Sequence, residues 1–247
     1  MLEIVDNANV RELRINRPPV NALDPTLVAA LAKALDEAVA ADAGAIVLSG
    51  APNMFSAGLD VRALLKLDAS GIRDFWRAFF GLMERIARSP IPVVSAITGH
   101  CPAGGAVLVM FGDYRVMATG PFKIGLNEVS VGLFPGRLIL SGYARLVGHY
   151  RAGELMTRGA LLDPETAKTY NLVDELQPQA DVIPRAHAYA AELLKLPSKV
   201  FKQTRDLTRA DLGSLFDTLD EAFYQQAADN WLSEETQNTM RSLFVKK

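Results

Sequence analysis

The chain has 247 residues, enough for one large domain or a core with a smaller appendage. Hydrophobic residues make up 49% and charged residues 22%, a balance that excludes a disordered chain. Twenty-six basic residues against 28 acidic ones give a net charge of −2, and no Lys/Arg block precedes Lys246-Lys247, so no nucleic-acid footprint is present.

Residues 2–16 carry short apolar bursts on either side of Asn7-Ala8-Asn9, which predicts a β-hairpin. A helix is expected to open at Asn21-Ala22-Leu23-Asp24-Pro25, with Asp24 as its cap and Pro25 in the first helical position. Leu27, Leu31, Leu35 and Val39 recur every fourth residue and give that helix an apolar face. Residues 45–48 read as a short buried strand, closed by Ser49-Gly50-Ala51-Pro52-Asn53. A short helix over 61–67 and a longer one over 75–86, broken before Pro90, come next. Residues 93–97 form a buried strand that runs into the glycine-punctuated turn Thr98-Gly99-His100-Cys101-Pro102-Ala103-Gly104-Gly105, after which a helix starts at about Ala106. Strands over 113–118 and 122–124 complete an alternation that argues for an α/β core, a sheet covered by helices.

Beyond about residue 135 helical periodicity dominates, over 138–146, 152–157, 164–170, 184–194, 200–207 and 215–228. The last of these, with Leu215, Phe216, Leu219, Phe223 and Tyr224, carries much apolar area for a terminal segment. Such a face either meets a partner or folds back onto its own core, and the sequence leaves both open.

Cys101 is the only cysteine, which excludes an internal disulfide and suits a reducing compartment. The first residues lack the basic and apolar regions of a signal peptide, and no apolar run approaches the roughly 18 residues that a bilayer requires. A cytoplasmic bacterial protein is expected, a processed organellar one being the other possibility. His100, His149 and His187 offer no pair at metal-ligand spacing, so no metal is expected. The adjacent His100 and Cys101 lack a third orienting group, which disfavours a cysteine nucleophile.

Three segments carry chemistry. Phe55-Ser56-Ala57-Gly58-Leu59-Asp60 and the turn at Gly104-Gly105 have small residues that admit a ligand to the backbone, each before a helix whose first N–H groups lack partners. If the two turns converge, they can hold one carbonyl oxygen. Glu128 lies in Leu126-Asn127-Glu128-Val129-Ser130-Val131-Gly132-Leu133, an apolar setting that would raise its pKa towards general-base work near neutral pH.

Pro18-Pro19-Val20-Asn21-Ala22-Leu23, Ser56-Ala57-Gly58-Leu59-Asp60, Cys101-Pro102-Ala103-Gly104-Gly105 and Ile124-Gly125-Leu126-Asn127-Glu128, in that order, resemble the crotonase (enoyl-CoA hydratase/isomerase) superfamily. Their wording is most similar to the monofunctional Δ3,Δ2-enoyl-CoA isomerases. The resemblance implies a spiral of β-β-α units over residues 1–190 and a helical trimerisation region over 191–247. It also implies a homotrimer or a hexamer made as a dimer of trimers. The ligand would be an acyl-CoA thioester, with no separate cofactor because coenzyme A is part of the substrate.

By the same resemblance Glu128 is the base, and the N–H groups of Leu59 and Gly104 are the oxyanion donors. Ser56, Ala57, Gly58, Leu59 and Asp60 would line the CoA and pantetheine path, with Gly104 and Asn127 completing the substrate-binding set. Hydratases of the family use a second glutamate, and its place falls on Val107; the extra acid of dienoyl-CoA isomerases falls on Gly136. Both substitutions favour a one-base isomerisation of 3-enoyl-CoA to 2-trans-enoyl-CoA. The alternatives are hydration or another crotonase reaction, and a non-catalytic acyl-CoA-binding paralogue. Arg17 and Lys202 are candidates for CoA phosphate contacts or plain surface charges, and Asp113 reads as a structural partner. Phe134 and the helix over 74–86 are candidates for shaping an acyl tunnel.

Overall fold

Local signals place the first elements of the fold. In the computed structural model, which describes residues 1–244, β1 (Leu2–Asn7) and β2 (Val10–Ile15) form the expected antiparallel hairpin. Lys246 and Lys247 lie outside the described residues. Asp24 accepts the Leu27 N–H at 2.8 Å and Pro25 takes the first turn, so α1 (Pro25–Ala40) begins where its cap dictates. Leu27, Leu31 and Leu35 are buried along one face, and Val39 falls at its edge. β3 (Ala45–Gly50) follows, buried along its whole length.

Next come β4 (Asn53–Met54), α2 (Val61–Leu64), α3 (Ala69–Ala87) and β5 (Val93–Ile97). The helix expected over 61–67 is thus a single turn, capped by Asp60 on the Ala63 N–H. The expectation of a turn running straight from strand to helix needs correction. β6 (Gly99–Pro102) intervenes before α4 (Gly104–Met110), and Gly104 is the first residue of that helix. β7 (Tyr114–Ala118) and β8 (Ile124–Gly125) follow, the latter one residue beyond the expected strand.

The remainder is mostly helical: α5 (Gly136–Val147), α6 (His149–Arg158), α7 (Pro164–Thr169), the short strand β9 (Glu175–Gln177), α8 (Val182–Leu193), α9 (Ser198–Ser214), α10 (Glu221–Leu232) and α11 (Glu234–Ser242). Only the second part of the helix expected over 215–228 is helical: α9 ends at Ser214, the chain turns at 215–220, and Asp220 caps the start of α10 on the Phe223 N–H. The 190/191 division falls three residues before the end of α8.

Six strands form one sheet in the order β1-β2-β3-β5-β7-β9, all neighbours parallel except β1 and β2. β3 and β5 are buried on both faces, which requires cover on each side. One cover is α8, which lies across β3, β5 and β7. A second, three-stranded parallel sheet, β4-β6-β8, brings residues 53–54, 99–102 and 124–125 side by side. That small sheet draws the three chemically marked segments together, since each leaves it within a few residues of its strand.

Two buried arginines of α9 fasten the helical region to this core. Arg205 makes a two-pronged ion pair with Asp113 at 2.7 and 2.8 Å and donates to the carbonyls of Ser89 and Ile91. Arg209 donates to the carbonyls of Ala87, Phe111 and Gly112, at the ends of α3 and α4. Asp113 is a structural partner, as the sequence suggested.

Candidate active site

A cavity of about 430 Å³ opens beside α4, within the usual range for a small-molecule site. Its walls are mostly apolar, with Trp76, Phe79 and Phe80 from α3, Val107 from α4, Phe134 from the loop before α5, Phe223 from α10 and Met240 from α11, while Arg137, Gln226 and Asn230 add polar groups. α10 lies along α3, with Phe80 edge-on to Phe223 at 5.0 Å and Trp76 edge-on to Trp231 at 6.2 Å. The apolar C-terminal face therefore folds back onto its own chain and closes the cavity.

Glu128 is the sole carboxylate among the described residues lining that cavity. It opens a short 3-10 turn, Glu128–Val131, directly after β8 and Asn127, and only 6% of its surface is exposed. Burial raises its pKa to about 7, against a smaller opposing pull from its own backbone N–H. Its Oε2 atom and Asn127 Oδ1 have no hydrogen-bond partner. A carboxyl near neutrality, uncommitted to a salt bridge and facing an apolar space, can take up and return a proton at physiological pH. Val107 and Gly136 line the same cavity and offer it no second acid.

Two backbone segments in direct contact with each other also reach the cavity. A Cβ built on Gly58 would lie 3.0 Å from the Gly104 nitrogen, and one on Gly104 would lie 3.3 Å from the Gly58 Cα. The carbonyl of Gly58 accepts the Leu23 N–H at 2.8 Å, and Asp60 N–H donates to Leu23 O at 2.9 Å. Because a trans peptide is planar, the Leu59 N–H must point away from Leu23. The Ala103 carbonyl accepts Val107 N–H at 2.9 Å, the first bond of α4, so the Gly104 N–H points out of the helix start. Among the described residues neither amide donates to a protein acceptor, and Leu59, Ala103 and Gly104 all line the cavity. Two free N–H groups from touching backbones and one neutral-range carboxyl share one apolar space.

The remaining expected site residues divide. Ala57 and Asn127 line the cavity, whereas Ser56, Gly58 and Asp60 do not. Ser56 is wholly buried, Gly58 turns the chain at φ 88°, and Asp60 pairs with Arg17 at 2.9 Å while capping α2. Arg17 also bonds Asp24 and the Ala22 carbonyl, so it is held by the fold and is no plain surface charge. Lys202 is exposed on α9 and lies outside the cavity lining. The Cys101 thiol is fully buried and its pKa is pushed up by that burial, which leaves no thiolate; His100 Nδ1 accepts the Lys123 N–H. Phe223 and Met240 are cavity residues whose place sequence reasoning missed, and so is Ala103, which holds φ 49° at the helix start. Among the described residues no cluster of three or more His, Cys, Asp or Glu could hold a metal ion. No helix among them is long and apolar enough to cross a membrane.

Residues 5–242 match the family model for enoyl-CoA hydratase/isomerase. The chain belongs to the enoyl-CoA hydratase/isomerase family. It is 31% identical to mitochondrial enoyl-CoA delta isomerase 1 of Mus musculus over 212 residues, 85% of this chain and 73% of that protein. The crystal structure of human mitochondrial delta3-delta2-enoyl-CoA isomerase superposes with a TM-score of 0.93 at 26% identity, covering 98% of this chain and 96% of that one. An enoyl-CoA hydratase from Mycobacterium ulcerans superposes with a TM-score of 0.84 at 27% identity, covering 93% and 99%. The family fold and an enoyl-CoA hydratase/isomerase class of activity follow from these likenesses, and they extend to isomerases and hydratases alike.

Proposed function

We propose that this family member is a Δ3,Δ2-enoyl-CoA isomerase acting in fatty-acid β-oxidation by a one-base proton shuttle. The observation that carries the reading is Glu128, the single carboxylate among the described residues lining a largely apolar cavity, where α4 contributes Val107 and no second acid. Hydration requires a water held and activated on the double bond, and a valine neither accepts nor donates a proton. A 1,3-proton shift requires one base and a dry space.

In this mechanism the thioester oxygen of a 3-enoyl-CoA accepts hydrogen bonds from Leu59 N–H and Gly104 N–H. Glu128 removes a proton from C2, and the charge spreads into a dienolate whose oxygen the two amides stabilise. The double bond moves to C2–C3 as the same carboxyl delivers the proton to C4. No bond to oxygen forms, and no separate cofactor takes part. Removal of one such donor typically costs on the order of 100- to 1,000-fold in rate.

Exposed Val200 and Leu207 on α9, 62% and 78% accessible, support self-association of the kind expected, a trimer or a hexamer. Residues 191–247 would then serve both the cavity and the assembly. The single buried cysteine and the bacterial relative support a reducing, cytoplasmic setting.

The test offers purified protein 3-hexenoyl-CoA and follows the absorbance of the conjugated product. Isomerisation is expected, and Glu128→Gln should abolish it while CoA-ester binding persists. In labelled water the product should gain no oxygen. A hydroxyacyl product carrying the label identifies a hydratase, and full activity in the Glu128→Gln variant removes this residue as the base.

A further inference from the structure

Ser56 has no exposed surface and does not line the cavity, yet its hydroxyl joins two loops beside it. The hydroxyl donates to the Asn21 carbonyl at 2.8 Å and accepts the Gly58 N–H at 3.1 Å. Asn21 is a fixed anchor. It is 2% exposed, sits at a left-handed φ of 54°, and its Nδ2 donates to the carbonyls of Ile15, Met54 and Phe55 at 3.0, 2.9 and 3.1 Å. Its Oδ1 accepts the Arg17 N–H at 2.8 Å.

Gly58 is therefore gripped at both ends, its N–H by Ser56 and its carbonyl by the Leu23 N–H at 2.8 Å. A residue at φ 88° with no side chain has little else to hold its backbone. The next peptide is planar, so the direction of the Leu59 N–H is set by the plane of Gly58. Ser56 also abuts the second segment: a Cβ on Gly105 would lie 2.7 Å from the Ser56 carbonyl oxygen.

We propose that Ser56, anchored by Asn21, is a positioning residue that aims the Leu59 amide at the substrate carbonyl. It touches no ligand and acts through Gly58. The proposal rests on the reading of Leu59 and Gly104 as the pair that holds the thioester oxygen. Loss of the hydroxyl leaves the Gly58 N–H and the Asn21 carbonyl buried without partners. Rotation at Gly58, released from Ser56, relieves that penalty by straining the bond from the Leu23 N–H to the Gly58 carbonyl, and the Leu59 N–H in the same planar peptide tilts with that carbonyl.

The carbonyl stretch of a bound 2-enoyl-CoA reports the grip directly, because donors that polarise the thioester lower its frequency. Isotope-edited infrared spectra would be taken for the wild type, Ser56→Ala, Ser56→Cys and Glu128→Gln. The wild type and Glu128→Gln should show the full shift, the latter without turnover. Ser56→Ala should lose most of the shift and about 10- to 100-fold in kcat, with KM within about threefold. Ser56→Cys, whose thiol is a weak donor and acceptor in the same place, should fall between them.

A shift unchanged in Ser56→Ala, with kcat within about twofold of wild type, overturns the role of Ser56 and leaves the carbonyl-binding pair standing. No shift in the wild type overturns the pair, and the role of Ser56 with it. If Ser56→Ala does not fold, Ser56→Cys decides on the same terms: a reduced shift and kcat support the role, wild-type values overturn it.

Discussion

In the proposed mechanism Glu128 has two jobs that pull against each other. As a base it must be ionised, and as a buried side chain without a countercharge it resists ionisation, which is why its pKa rises to about 7 from an ordinary 4.5. Activity should therefore climb with pH through about 7 and level off above it, because only the carboxylate accepts the C2 proton. The fold responds in the opposite sense. Between 4.5 and about 7 the unfolded chain has released this proton while the folded one still holds it, so stability falls as pH rises through that window. The full loss is on the order of 3 kcal/mol. Glu128→Gln cannot titrate, so its stability advantage over wild type should widen between about pH 5 and pH 7 and stay constant at higher pH. Urea denaturation of both proteins across that range measures the gap. A gap independent of pH would mean that this carboxyl titrates alike in the folded and unfolded chains, so that burial does not raise its pKa.

The helices α3 and α10 decide how much room lies beside that carboxyl. Phe223 of α10 stands edge-on to Phe80 of α3 and forms part of the cavity wall, so its ring limits the space open to an acyl chain. Phe223→Ala should shift preference towards longer or bulkier chains, with the ratio of kcat/KM values changing on the order of 10-fold. The residue is half-buried, so the cost in stability should be below the roughly 3–5 kcal/mol of a fully buried phenylalanine. A kcat/KM series over chain lengths checks this, and a uniform loss at every length would remove Phe223 as a wall of the acyl site.

Part of that wall was legible in the sequence, since Phe134 and the helix over 74–86 were candidates for an acyl tunnel and both line the cavity, but the pairing of α3 with α10 was not. α3 and α10 are about 140 residues apart in the chain, and their contact leaves no local signature. The opposite holds for the site's backbone. At Gly58 the chain needs φ 88°, and at Gly105 a Cβ has no room beside Ser56, so geometry restricts the residue types and leaves readable motifs. Caps were legible for the same reason. Asp24 announces α1, and Asp220 and Ser233 announce α10 and α11 by the same rule, although the apolar spacing across 215–228 hid the break.

The molecule as a whole depends on how the helical region is tied to the sheet, and α9 makes that tie with buried charge. Arg205 and Arg209 are 7% and 9% exposed and share Asp113, while all their other donors except the Arg209 Nε, which has no partner among the described residues, reach carbonyls at the ends of α3 and α4 and in the loop before β5. Burial lowers the Arg209 pKa to about 10, with the Asp113 charge opposing that fall, so it stays protonated through the physiological range. Taking one partner from such a group leaves a charge and several carbonyls buried without bonds, a penalty of roughly 3–5 kcal/mol. Arg205→Ala should accordingly lower Tm on the order of 10 °C for a chain of this size. The cavity should feel the same change, because α9 leads directly into α10 and α10 supplies the wall at Phe223. The variant is therefore expected to bind acyl-CoA more weakly at temperatures where it is still folded, with the pH dependence set by Glu128 unaltered. Calorimetry together with ligand titration separates these effects. A large fall in Tm with wild-type affinity would show that the α9 clamp serves stability alone and that α10 keeps its place without it.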